Sequence, residues 1–128
     1  MKRIGIMTTG GDCSGLNTAI NRIVRGAELR GWDVIGIIDG TDGFCDNPPR
    51  TIELNTETLP LAESRLAGSI LHNGNAGAMN FETAATSGKL ALFNRRFKRG
   101  LASLNLDALI LIGGNGSTSL AWAHNDIY

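Results

Sequence analysis

Arg3-Ile4-Gly5-Ile6-Met7-Thr8-Thr9-Gly10-Gly11-Asp12-Cys13-Ser14-Gly15-Leu16-Asn17 is the stretch from which the fold is read. An apolar run over residues 3–8, closed by two glycines, predicts a buried parallel strand that leads into a turn. From Asn17 the apolar positions Ala19, Ile20, Ile23, Val24 and Ala27 recur at helical spacing, which predicts an amphipathic helix stopped by Gly31. Residues 32–39 predict a second strand, closed by a Gly40-Thr41-Asp42-Gly43 turn. Together these segments make a β-α-β unit with a right-handed crossover.

Downstream, Pro48-Pro49 interrupts regular structure, and residues 51–54 predict a short edge strand. A short helix is expected over residues 59–66. Residues 68–80 carry Gly68, Gly74 and Gly77 among small polar residues and read as a long loop of the kind that holds binding groups. Leu90, Phe93, Phe97, Leu101 and Leu104 then mark the buried stripe of another helix. Arg95, Arg96, Lys98 and Arg99 are expected near its C-terminal end, as a solvated face that complements the helix dipole. Residues 107–112 predict a buried strand, Gly113-Gly114-Asn115-Gly116-Ser117 a second glycine turn, and the last residues a further helix. The alternation predicts a three-layer α/β sandwich with a mostly parallel sheet, whose ligands gather at the C-terminal strand edges.

The 128 residues, 42% hydrophobic, suffice for one modest core. Twelve Lys and Arg balance twelve Asp and Glu, which excludes the broad basic field of a nucleic-acid or anionic-membrane binder and favours a small ligand. No apolar stretch is long enough to cross a bilayer, and Met1-Lys2-Arg3 leads directly into a strand, so a cytoplasmic protein is expected. Cys13 and Cys45 have no metal-ligand spacing and read as structural thiols, although Cys13, near a helix N-terminus, stands where a thiol can become reactive.

Glycines between a strand and a helix allow positive φ and close approach of a ligand, and the free N–H groups of the helix start attract phosphate. Gly10 and Gly15 have the spacing of a Walker A loop, yet Leu16-Asn17 replaces its Lys-Ser/Thr pair. A Gly-x-Gly-x-x-Gly dinucleotide fingerprint is also lacking. Either loop alone is read equally well as structural punctuation.

In combination they are more specific. Residues 10–17, the helix after them, Asp39-Gly40-x-x-Gly43 and Gly113-Gly114-x-Gly116-Ser117 occur in an order that resembles the 6-phosphofructokinase family, most clearly over residues 1–44 and 106–121. The resemblance implies a Rossmann-like N-terminal ATP-binding part of a glycolytic kinase, which transfers phosphate from ATP to the 1-hydroxyl of fructose 6-phosphate with magnesium, in a homo-oligomer. It implies ATP-phosphate contacts at Gly10, Gly11, Gly114, Asn115, Gly116 and Ser117. Gly116 stands where the pyrophosphate-dependent branch has Asp, so ATP is expected as donor rather than pyrophosphate.

The sequence departs from that family in four respects. Asn115 replaces the Asp that serves magnesium, which weakens any metal site there. Asn75 aligns with an Arg that contacts phosphate in the transition state. Of two effector-binding Arg positions, one reads Asn21 and the other Arg25. The family's Thr-x-Asp-x-Asp segment, with the general base, lies downstream of the second loop and is not reached by Tyr128. No catalytic residue is therefore assigned within these 128 residues. His72 and His124 lack a paired carboxylate and read as surface or packing residues, and Asp12 is expected to order its loop by accepting backbone N–H bonds. The expectation is an ATP-site chain with impaired catalysis; the alternatives are a non-catalytic nucleotide- or phosphate-binding module, a pyrophosphate-dependent relative, and a flavodoxin-like protein, the last disfavoured by the lack of an aromatic flavin platform.

Overall fold

The computed structural model describes residues 1–59, 65–74 and 80–125. Four strands form one sheet in the order β3-β2-β1-β4: β1 (Arg3–Thr8), β2 (Asp33–Ile37), β3 (Thr51–Leu54) and β4 (Ala108–Ile112). β1 pairs in parallel with both β2 and β4, and β3 runs antiparallel to β2 at the edge. The expected mostly parallel sheet is present.

Helices cover both faces. On one face α1 (Leu16–Glu28) packs Ile20, Val24 and Ala27 onto Ile4, Ile6 and Val34. On the other face α2 (Gly40–Cys45), α3 (Phe81–Thr86), α4 (Leu90–Leu104) and α5 (Asn115–Ala123) bury Phe44, Ala84, Phe93, Phe97 and Leu120 over Met7 and Ile37. The strand period of two explains this division, because Ile4 and Ile6 face α1 while Met7 faces the opposite layer. Each such side chain contributes about 1.5–3 kcal/mol by leaving water. Phe44 and Phe97 meet at 4.8 Å between ring centroids and tie α2 to α4.

Several expectations need correction. The Gly40–Gly43 turn is the start of α2, a helix hidden in the sequence by the low helix propensity of glycine and formed here because Phe44 and Cys45 pack into the core. Gly31, at φ +67°, does close α1, three residues past its last helical residue. The stripe on α4 is buried at Phe93, Phe97 and Leu101, whereas Leu90 is exposed. Its cations do not complement the dipole, since none lies in the last turn; Arg99 instead donates to the Cys45 carbonyl at 2.8 Å and holds the end of α2. Residues 60–64 of the helix expected over residues 59–66, and the position Asn75, lie outside the described residues.

No helix among the described residues is long and apolar enough to cross a membrane.

Candidate functional site

The topology determines where a ligand can enter. β1 lies between β2 and β4, and α1 leaves it on one face, while α5 leaves β4 on the other. The two helices therefore diverge above the β1–β4 pair, and the loops that lead into them border a crevice at the C-terminal ends of the strands, the usual ligand position in such sheets. A cleft of about 290 Å³ lies there, lined by Gly10, Gly11, Gly114, Asn115, Gly116 and Ser117, with Thr9, Thr41 and Glu82 beside them. A larger cleft, about 430 Å³, opens at the opposite strand ends, where Arg3 lies among Glu28, Asp33 and Glu53 and the end of α1, not a helix start, borders it.

All six residues expected to contact phosphate come together. The loops nearly touch: a Cβ on Gly10 would lie 3.7 Å from the Gly114 nitrogen. Gly10 has φ +87°, which favours glycine, whereas Gly114 has φ −91° and is open to other residues. At the start of α5 the N–H groups of Asn115, Gly116 and Ser117 precede the first intrahelical bond, Thr118 N–H to the Gly114 carbonyl at 3.1 Å. Such N–H groups, with the helix dipole behind them, suit a phosphate. Ser117 is buried, and its hydroxyl is hydrogen-bonded to that of Thr9, so it joins the loops to each other rather than presenting a free hydroxyl to a ligand.

The segment around residues 65–74 is pinned beneath the first loop. Asn17, buried in the first turn of α1, donates to the Leu66 carbonyl at 3.1 Å and accepts from the Ile70 N–H at 2.7 Å. The Thr8 and Ser69 hydroxyls pair at 2.7 Å. Asp12 was expected to accept backbone N–H bonds; among the described residues it instead accepts from the Asn73 side-chain amide at 2.7 Å, which ties the first loop to the 65–74 segment. Asn17 and Asn73 are thus positioning residues that the glycine pattern did not reveal, and their partners lie about fifty to sixty residues away in sequence.

Glu82 was also missed. It sits on α3, whose start is fixed by Asn80 accepting from the Glu82 and Thr83 N–H groups at 2.9 and 3.3 Å. Asn80 was the available signal, an N-cap residue before Phe-Glu-Thr-Ala-Ala.

Neither histidine belongs to the cleft. His124 is buried, with Nδ1 3.0 Å from the Leu120 carbonyl and its ring 4.6 Å from that of Phe97. His72 is exposed at φ +58°. Asn21, one of the expected effector positions, is buried and holds the Leu59 carbonyl at 3.4 Å, while its oxygen accepts from Arg25 at 3.2 Å. Both side chains are engaged with each other on α1. Cys13 is exposed; Cys45 is buried, and burial pushes its thiol from 9.0 up to about 12, against the opposing charges of Arg96 and Arg99. That thiol is inert at neutral pH.

The phosphofructokinase family model matches residues 3–126, nearly the whole chain. The chain belongs to the phosphofructokinase family. An ATP-dependent 6-phosphofructokinase of Nostoc sp. is 39% identical over 120 residues, covering 93% of this chain and 33% of that one. A pyrophosphate–fructose 6-phosphate 1-phosphotransferase of Amycolatopsis mediterranei is 33% identical over 120 residues, covering 93% of this chain and 32% of that protein. The crystal structure of Pichia pastoris phosphofructokinase in its T-state superposes with a TM-score of 0.81 at 22% identity, covering 98% of this chain and 12% of that one, a likeness of fold. The chain spans about a third of the length of the curated relatives it matches.

Proposed function

We propose that this chain is the N-terminal ATP-binding part of a 6-phosphofructokinase, a glycolytic enzyme that transfers the γ-phosphoryl group of ATP to the 1-hydroxyl of fructose 6-phosphate. The observation that carries the reading is the convergence of two glycine loops, from β1 and β4, on one cleft at a helix start. Gly10 and Gly11 bound one side of the phosphate path. Gly114, Asn115, Gly116 and the Ser117 backbone bound the other, with N–H groups that bind and orient the oxygens. The Thr9–Ser117 bond keeps the two sides in register.

ATP as donor is supported by the names of relatives such as the Nostoc enzyme, and by Gly116, since the bulk and charge of an Asp side chain at that position would obstruct the α-phosphate, which pyrophosphate lacks. The Amycolatopsis relative makes pyrophosphate the competing donor. Fructose 6-phosphate as acceptor, a cytoplasmic setting and a homo-oligomeric assembly belong to the same proposal and are supported by family membership alone.

Magnesium fits this cleft in a limited way. Among the described residues no group of three or more His, Cys, Asp and Glu side chains converges to hold a metal ion. The oxygens of Asn115 and Glu82, which both line the cleft, suit a hard cation, but Asn115 supplies an amide where a carboxylate would be stronger. The chain is therefore suited to magnesium shared with the phosphates rather than held by protein alone. When bound, the ion supplies charge neutralisation between the phosphates.

Titration calorimetry with ATP and with pyrophosphate, each in magnesium, tests the reading. Binding of ATP with a Kd between about 1 μM and 1 mM, the usual range for enzyme substrates, is expected, and binding only of pyrophosphate would replace it with the alternative donor. Absence of either heat would leave the cleft without a nucleotide role.

A further inference from the structure

We infer that Asn73, a buried side chain outside the cleft, sets the phosphate affinity of the first glycine loop by holding Asp12, and does so at a cost in stability. The inference deepens the reading of the cleft as an ATP site and rests on it. Asn73 is 9% exposed and donates from Nδ2 to Asp12 Oδ1 at 2.7 Å. Asp12 is exposed and directly follows Gly11, in the loop that lines one side of the cleft. A carboxylate only accepts, so the amide nitrogen must face it. That orientation leaves Asn73 Oδ1 buried without a hydrogen-bond partner among the described residues.

Of the two partners, Asn73 is the fixed one. Before it, the Leu71 carbonyl accepts from the Asp39 N–H at 2.8 Å, and the Ser69 and Thr8 hydroxyls pair at 2.7 Å. After it, a Cβ on Gly74 would overlap the Asp39 carbonyl, and a Cβ on Gly40 would lie 2.5 Å from the Asn73 carbonyl oxygen. The backbone around Asn73 is therefore packed tightly against the start of α2. The glycine loop is the opposite case. Gly10 and Gly15 adopt φ +87° and +93°, and a Cβ on Gly11 or Gly15 would meet nothing within 4 Å, so packing restrains this loop little.

A loop already held in its binding shape loses less freedom when a ligand arrives, and its affinity rises accordingly. Gly10 faces Gly114 across the cleft, where a Cβ on Gly10 would lie 3.7 Å from the Gly114 nitrogen, so a shift of the first loop alters the spacing between the two walls. The orphaned Oδ1 acts against stability, because a buried acceptor without a partner is unfavourable and an apolar side chain of the same shape would remove it. Binding and stability thus make opposite demands at this position. That opposition distinguishes a positioning residue from one that only supports the fold.

The experiment measures ATP affinity by calorimetry in magnesium, and Tm, for the wild-type chain, Asn73→Leu, Asn73→Asp and the exchange Asp12→Asn with Asn73→Asp. Leucine keeps the shape of asparagine without its donor or its orphaned oxygen. Asn73→Leu is expected to weaken ATP binding about tenfold, one unit of log Kd, while melting at or above the wild-type Tm. Asn73→Asp sets a second carboxylate against Asp12 and should weaken binding further. The exchange restores one amide donor and one carboxylate acceptor with their places reversed, and should return Kd to within about threefold of wild type. The inference is overturned by wild-type affinity in Asn73→Leu, by a lower Tm in that variant, or by an exchange that binds no better than Asn73→Asp. Each of those results leaves the ATP site standing. Absence of ATP binding by the wild-type chain in magnesium refutes the ATP site, and the inference with it.

Discussion

At Asn115 a single atom type separates this cleft from a stronger cation site. Its side chain lines the cleft at the start of α5. Asn115→Asp adds a charge worth a few kcal/mol at an effective dielectric of about 20, before desolvation is subtracted. ATP should bind more tightly in magnesium and more weakly in chelator, as paired titrations of the two proteins would report; an equal effect in both media would separate Asn115 from the metal-nucleotide site. Cys45 illustrates a different residue-scale effect. Its raised pKa means that the folded state keeps the proton that the unfolded chain releases above pH 9.0, so the associated stability is complete below pH 9.0 and is lost as pH rises towards about 12. Denaturant titrations from pH 8 to 11 should show stability falling, less steeply in Cys45→Ala; identical slopes would contradict the assignment.

Elements differed in how plainly the sequence announced them. β1, α1, α4 and β4 were legible because long apolar runs or three- and four-residue spacing record burial directly. α2 was not, since four residues of glycine-rich sequence look like a turn until Phe44 finds Phe97. α3 was too short for periodicity, and the antiparallel direction of β3 depends on its neighbour rather than on its own residues. The same division runs through the site. The glycine loops were visible, because backbone demands are written locally, but Asn17, Asn73 and Glu82 act across distances that only packing closes. α3 can be tested through its cap: Asn80→Ala removes the acceptor for two N–H groups and should cost about 1 kcal/mol, a fall of roughly 3–6 °C in Tm. An unchanged Tm would mean that the first turn of α3 does not depend on Asn80.

For the whole molecule, the sheet ends on β4, whose outer edge has no strand partner among the described residues, and Trp122 nearby is 79% exposed. The chain covers about a third of its relatives' length, and Glu82 is the one titratable side chain lining the cleft among the described residues. The isolated 128-residue chain should therefore give no fructose 6-phosphate-dependent ADP release. Turnover within about a thousandfold of roughly 10 s⁻¹ in a coupled assay, with host kinase excluded, would show that catalytic groups are present after all. The most direct measurement concerns Gly114, where a Cβ would meet nothing within 4 Å and φ is ordinary, so Gly114→Val leaves the fold intact but fills the cleft. Calorimetry in magnesium should find ATP binding abolished in Gly114→Val and preserved in His72→Ala at equal thermal stability; ATP affinity in Gly114→Val equal to wild type would contradict a phosphate cradle between the two loops.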